Sequence, residues 1–247
     1  MPVNENGLFE EAGVGTHDKV IALLQEEKRG KLLDTPAGEG AASKRLEEMG
    51  FEVFAADFNE EKFKLKDIPF QKVDLDENLP YKDRFFDYVV CIEGIEHIEN
   101  PFHLIREFRR ILNKGGKLII TTPNILNIYS RLRYLLLGYP DWHEEEAYYV
   151  TPANLYQLLR RHLNPVSSPK LQYILENNGF FLENIATNCT IFSGRRPLLR
   201  PFFTLLYLFT GSFILFATLL KRKKSSQILL SPKLLFGESL IVKARKE

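Results

Sequence analysis

The feature that most limits what this chain can fold into is an alternation in its first half. Short apolar runs that stop on an acid give way, again and again, to stretches of helix-forming residues. Lys31-Leu32-Leu33-Asp34 reads as a short strand, followed by the loop Thr35-Pro36-Ala37-Gly38-Glu39-Gly40. Ala41 to Met49 has helical composition and stops at Gly50. Phe51 to Asp57 is a second strand and Phe70 to Asp74 a short third. Phe86 to Ile92 is nearly all apolar, the pattern of a parallel strand buried on both faces. Asn100-Pro101 opens a helix through Leu112, Asn113-Lys114-Gly115-Gly116 ends it, and Lys117 to Asn124 is the fifth strand. Parallel strands need a crossover between them, and helices supply it. The expectation is therefore an α/β fold with a doubly wound, Rossmann-like sheet, mostly parallel.

The flanks extend this pattern. His17 to Arg29 reads as an amphipathic helix stopped by Gly30, and Asn127 to Gly138 as a basic helix carrying Arg131 and Arg133. Ser168 to Asn178 is a helix ended by Gly179, a sixth strand lies within Phe180 to Phe192, and Glu238 to Arg245 is the last. Residues 1–247 read as one domain, with 125–170 an acceptor-side insertion and 195–237 an apolar helical insertion. Lys+Arg 33 against Asp+Glu 32 leaves a net charge of +1, so no field of one sign holds the molecule on nucleic acid. Cys91 and Cys189 show neither a disulfide framework nor zinc spacing, and the N-terminus is polar and acidic rather than a signal peptide. A cytoplasmic protein is expected.

Ligands of open parallel sheets bind at the carboxyl ends of the strands. Gly38 and Gly40 sit in the first turn there, where a missing Cβ lets backbone approach a ligand. Asp57 ends the second strand, placed to accept the hydroxyls of a ribose, and Asp74 ends the third, where a carboxylate would accept the amine of adenine. Together they point to an adenosine-containing ligand.

On these residues the chain resembles the class I methyltransferases that use S-adenosylmethionine, in the branch that includes ubiquinone-biosynthesis O-methyltransferases. The resemblance is carried by LLDTPAGEG (32–40), the acid of AADFNE (55–60), KVDLDENLPY (72–81), FDYVVCIEGIEHIENP (86–101) and LNKGGKLIITTPN (112–124). It implies S-adenosylmethionine as cofactor. Asp34 and Gly38 would meet its methionine end, with Gly40 letting the helix start close. Asp57 would hold the ribose, Asp74 and the backbone of Leu75 the adenine, and Glu93 would lie beside the sulfonium. It also implies a last strand that is antiparallel, inserted between strands five and six. One position departs: Pro36 stands where the family has the first glycine of the turn, and proline removes a backbone donor.

Methyl transfer from a sulfonium is an in-line displacement with an excellent leaving group, so alignment and exclusion of water do most of the work. A base is needed only where the acceptor must lose a proton. His162, His143 and His97 are the candidates, in that order apart from His97, which belongs to Glu93-Gly94-Ile95-Glu96-His97. In the ubiquinone-type relatives a matching E-x-x-E-H set is associated with a divalent cation, so Glu93, Glu96 and His97 would hold Mg²⁺; oxygen suits that ion and imidazole does not. Alternatively, Glu96 and His97 cap and brace the helix that begins near Pro101. No residue is assigned as a metal ligand from sequence alone.

Pro201 to Leu220 carries no charge and is flanked by Arg195, Arg196 and Arg200 before it and Lys221 to Lys224 after it. A single membrane crossing would strand the last strand on the far side of the bilayer, so the segment is expected to enter and leave one face, breaking near Gly211-Ser212. Monotopic contact through 198–224 follows, with basic flanks on lipid headgroups. The activity expected is methylation, most readily O-methylation, of a small-molecule, lipid-linked or glycan acceptor. Two other readings stand beside it. Gly38 to Ser43 loosely imitates the G-x-G-x-x-G/A turn of an NAD(P)-dependent oxidoreductase or epimerase, though no Tyr-x-x-x-Lys pair accompanies it. Pro36 would also suit a membrane-associated binding protein that kept the fold without the activity.

Overall fold

A computed structural model of the chain describes residues 3–4, 6–141, 162–189 and 232–247, with positions 201, 205 and 208 in between. Seven strands form one sheet: β1 (Lys31–Asp34), β2 (Glu52–Asp57), β3 (Phe70–Lys72), β4 (Phe86–Cys91), β5 (Leu112–Pro123), β6 (Phe180–Thr187) and β7 (Ser239–Lys246). Their order is β3-β2-β1-β4-β5-β7-β6. The first five run parallel, while β7 is antiparallel to both β5 and β6 and lies between them, as expected.

The apolar strands are explained by cover on both faces. Leu33, Val89, Cys91, Leu118, Ile120, Val242 and Ala244 enter one core, against α3 (Pro101–Ile111) and α5 (Ser168–Asn177). Their neighbours Leu32, Tyr88, Val90, Ile119 and Ile241 enter the opposite core with α1 (Thr16–Leu24) and α2 (Ala41–Glu48). Alternation along each strand thus feeds two cores, which is why the sequence shows a run rather than a period of two. Helix α3 is typical of how the cover is made. Leu104, Ile105, Phe108 and Ile111 recur on one face and are buried, Pro101 stands at the first turn, and the Asn100 side chain accepts from the His103 amide. The cap is thus Asn100, and neither Glu96 nor His97 serves as one.

Two expected boundaries move. Helix α1 ends at Leu24 rather than Arg29, because the Arg29 guanidinium donates to the Leu24, Gln25, Glu27 and Met49 carbonyls and so takes over the helix end. β5 begins at Leu112, before Gly115-Gly116: Phe86 pairs with Leu112 and Tyr88 with Lys117, so the glycines form a bulge inside the strand. Past β5, α4 (Ile128–Leu137) is capped by Asn127 and closed by Gly138 in the left-handed region (φ 83°). A short α6 (Pro232–Phe236) leads into β7. Residues 142–161, with His143, and most of 190–231, with the apolar run, lie outside the described residues.

Candidate active site

Because β1, β2, β3, β4 and β5 are parallel, their carboxyl ends share one edge of the sheet. Across it, in the order of the strands, stand Asp74 just past β3, Asp57 closing β2, Asp34 closing β1, Glu93 just past β4 and Thr121 near the end of β5. Of these, Asp34, Asp57, Asp74 and Glu93 are residues singled out from sequence, and they stand along one edge.

The turn after β1 is built around Asp57. The Gly38 amide donates to Asp57 Oδ2 at 2.8 Å and the Asn59 amide to Oδ1 at 2.9 Å. Gly38 (φ 54°) and Gly40 (φ 96°) are both left-handed, and a Cβ on Gly40 would sit 2.7 Å from Leu65 Cδ1. Each carboxylate oxygen keeps a second lone pair, so Asp57 can still accept from a ribose. Pro36, the departure from the family pattern, is accommodated by Gly94. A Cβ at Gly94 would lie 2.5 Å from Pro36 Cδ and 3.0 Å from Cys91 Sγ.

Asp34 is buried, accepting from Ser43 Oγ at 2.5 Å through Oδ2, while Oδ1 has no hydrogen bond. Burial pushes its carboxyl up to about 6 against the pull of the Ser43 hydroxyl. Glu93 has a left-handed backbone (φ 47°), a conformation a non-glycine residue holds only under constraint. The constraint is Thr121. Its Oγ1 accepts from the Glu93 amide at 3.0 Å and donates to Glu93 Oε1 at 2.8 Å. Burial raises the Glu93 carboxyl to about 7, with the Thr121 hydrogen bond opposing. His17, at the start of α1, lies 3.3 Å from Glu10 Oε2 through Nδ1 and lowers the carboxyls of Asp34 and Glu93 electrostatically.

On the far side of the edge, Asp74 is exposed and turned onto its own loop, its Oδ1 accepting from the Asp76 amide at 3.0 Å. Leu75 is buried in the core. Asp76 makes the longer link, accepting from the Glu99 and Asn100 amides at 3.2 and 3.0 Å and tying the loop after β3 to the loop after β4. No described hydrogen bond joins Asp57 to Asp74. Two cavities, of about 300 and 540 Å³, lie away from these acids. One is lined by Lys28, Asp87 and Gly115, the other by Arg84, Arg109 and Lys246, at the opposite ends of the strands.

His97 and His162 come together. The segment 162–164 docks on the loop after β4 through Asn164, whose amide donates to the Glu96 carbonyl at 2.8 Å and whose side chain donates to the Ile98 and Glu99 carbonyls. The two imidazoles meet edge to face at 4.9 Å between centroids. Donor atoms of Glu96, His97 and His162 all lie within 4.8 Å of one another. Glu96 is fully buried, and burial together with the Glu93 carboxylate pushes its carboxyl well above the usual range. Thr122 and Glu93 are close enough to bear on its charge, yet neither Glu96 oxygen meets a donor in hydrogen-bonding geometry. The expected magnesium set of Glu93, Glu96 and His97 is not the one assembled. Glu93 is engaged by Thr121, and a second imidazole takes its place, a donor set that does not suit Mg²⁺.

Sequence reasoning missed Thr121, Gly94, Asp76 and His17. A hydroxyl pair at the end of an apolar strand, Thr121-Thr122, and a glycine directly after Glu93 were the available signals. Nothing in the sequence marks His17.

Comparison with known proteins bears on the family and the fold. A family model described as a methyltransferase domain matches residues 11–184. Among curated relatives, a ubiquinone biosynthesis O-methyltransferase of Ruegeria pomeroyi is 30% identical over 154 residues, covering 55% of this chain and 60% of that protein. One from Nitrosomonas europaea is 23% identical and is covered to 66%, so the chain spans less than two thirds of these relatives. A solved S-adenosylmethionine-dependent methyltransferase of Mesorhizobium loti superposes with a TM-score of 0.57 at 15% identity, over 94% of this chain and 99% of that one. The chain belongs to the methyltransferase-domain family and has the class I fold of S-adenosylmethionine-dependent methyltransferases.

Proposed function

We propose that the chain binds S-adenosylmethionine along the strand edge and transfers its methyl group to a small-molecule, lipid-linked or glycan acceptor, with an acceptor oxygen as the favoured target. The observation that carries this reading is the Gly38 amide on Asp57 Oδ2, which fixes a glycine turn and an acid at the tips of adjacent strands. When bound, the cofactor supplies an electrophilic methyl. Asp34, Gly38, Gly40 and Glu93 hold the methionine part, Asp57 the ribose, and Asp74 with the Leu75 backbone the adenine. Orphaned Asp34 Oδ1 is an acceptor waiting for a donor such as the cofactor's ammonium group. Burial raises both acids at the methionine end, and a cation bound there would favour their ionised forms.

For an acceptor hydroxyl a base is required, and His162 is the first choice because it lies beside Glu96 and His97 at the rim of this edge. His143 stays a second candidate. The methyltransferase-domain match over residues 11–184 favours methyl transfer over the oxidoreductase reading.

Contact with a membrane face is part of the proposal. Tyr134 to Leu137 on α4 form a run of exposed apolar side chains, with Leu135 78% exposed, and Leu205 and Leu208 are exposed as well. Among the described residues no helix is long and apolar enough to cross a bilayer. Flotation with anionic liposomes tests the contact, and a protein that neither floats nor needs detergent refutes it. The transfer itself is tested by incubating the protein with deuteromethyl-labelled cofactor and total small-molecule and lipid extract. Label in one acceptor class is expected, and label in none contradicts the assignment.

A further inference from the structure

We infer that Arg84, Arg106, Arg109 and Lys246 form a binding site for a phosphate-bearing anion, at the end of the sheet opposite the edge of acids. They line the cavity of about 540 Å³ that opens there. Arg84, Arg106 and Arg109 have no ion pair and no side-chain hydrogen bond among the described residues. The acid of the lining, Asp83, is already taken by Arg110, which donates to it at 2.8 Å and to Glu107 at 2.7 Å. Lys246 supplies the independent observation. It is only 8% exposed, and its ammonium donates to the Arg109 and Leu112 carbonyls at 2.7 and 2.6 Å. An ammonium has three donors, so one remains, and no described carboxylate stands within ion-pair distance of it. Burial, Arg109 and Arg84 all press its pKa down, with Asp83 opposing. Buried charges are ordinarily paired, and an anion in the cavity supplies that partner.

The fold brings these groups together from four elements. Arg84 precedes β4 in a left-handed backbone (φ 54°), its amide donating to the Arg110 carbonyl at 3.0 Å. Arg106 and Arg109 are three apart on α3 and so share a face. Gly179 makes room for Arg109, since a Cβ there would lie 3.0 Å from its Nε. Lys246 pairs with Phe180 at the end of β7. Guanidinium forks match phosphate oxygens, and four positive charges suit a phosphoryl or diphosphoryl group better than a single carboxylate. β4 is six residues long, which sets the site about 20 Å from the edge of acids, too far for an anion held here to be the methyl acceptor. The inference is therefore independent of the proposed activity. The anion is a phosphorylated small molecule or a phospholipid headgroup, and the test separates the two.

Full-length protein is titrated with sodium pyrophosphate by calorimetry at constant ionic strength, and floated in parallel with phosphatidylcholine vesicles with and without phosphatidic acid. One pyrophosphate per chain is expected, with a raised Tm. Affinity should fall at least about tenfold in R84Q and in R109Q, the loss of a charge-assisted hydrogen bond, while K19Q, on α1, leaves it unchanged. Pyrophosphate binding with flotation unaffected by R84Q or R109Q supports the site and marks a free phosphate compound. Flotation that depends on phosphatidic acid and is lost in both variants supports it and marks a headgroup. If either variant loses its circular dichroism spectrum, R106Q takes its place. Absence of both pyrophosphate binding and arginine-dependent flotation, a response that KCl reproduces, or affinity unchanged in both variants would overturn the assignment.

Discussion

Thr121 and Glu93 close a two-bond ring across neighbouring strands: the threonine oxygen accepts from the Glu93 amide at 3.0 Å and donates to Glu93 Oε1 at 2.8 Å. The ring holds Glu93 in its left-handed backbone and sets its carboxylate beside the place proposed for the sulfonium. Thr121→Val removes one donor and one acceptor from this ring. A loss of about 1–3 kcal/mol in chemical unfolding is expected, with a larger fall in S-adenosylmethionine affinity than in that of its neutral-sulfur product.

Raised carboxyls give a signed pH dependence. With Asp34 at about 6 and Glu93 at about 7, the folded protein keeps protons that the unfolded chain loses near its ordinary carboxylate pKa. Cofactor-free stability should therefore fall as pH rises from about 4.5 to about 7, by about 2–3 kcal/mol for Glu93, and Glu96, raised well above the usual range by burial, extends the fall in the same direction. A cationic sulfonium favours the ionised acids, so S-adenosylmethionine should bind more tightly over the same rise, and S-adenosylhomocysteine less so. Glu93→Gln should make both curves shallower, leaving the part that Asp34 and Glu96 contribute, as thermal melts and calorimetry across pH would show.

Gly94 is required by Pro36. A Cβ 2.5 Å from the proline ring forces the turn or the loop to shift, so Gly94→Ala should cost about 1–3 kcal/mol, the usual range for overpacking. Pro36→Gly should recover most of that loss in the double variant, and a double-mutant cycle by denaturant unfolding measures the coupling.

Asn124 binds the end of β5 to the entry of β7. Its side chain donates to the Leu234 and Gly237 carbonyls at 2.7 and 2.9 Å and accepts from the Leu126 amide at 3.2 Å. Asn124→Ala removes both of the buried hydrogen bonds to these carbonyls and should destabilise by about 2–4 kcal/mol. Hydrogen exchange should show earlier opening of β7 than of β1 and β4.

What could be read in advance follows from how local the physics is. Strands β1, β2, β4 and β5 were legible because their two-sided burial writes a continuous apolar run, and Asp34, Asp57 and Asp74 because each stops such a run. The partners were not legible. That Thr121 meets Glu93, or that His162 meets His97, depends on contacts across 28 and 65 positions, which no local pattern encodes. The end of α1 was misplaced because a side chain, Arg29, terminates it rather than Gly30.

The central claim is that one carboxylate at the tip of β2 organises a nucleoside site. Calorimetric titration of S-adenosylhomocysteine into the protein and its Asp57→Ala variant measures it most directly. One molecule per chain should bind to the parent, and the variant should lose at least about tenfold in affinity, in line with a charge-assisted hydrogen bond of about 1.5–3 kcal/mol. No heat from the parent, or equal affinity in the two proteins, would contradict the account.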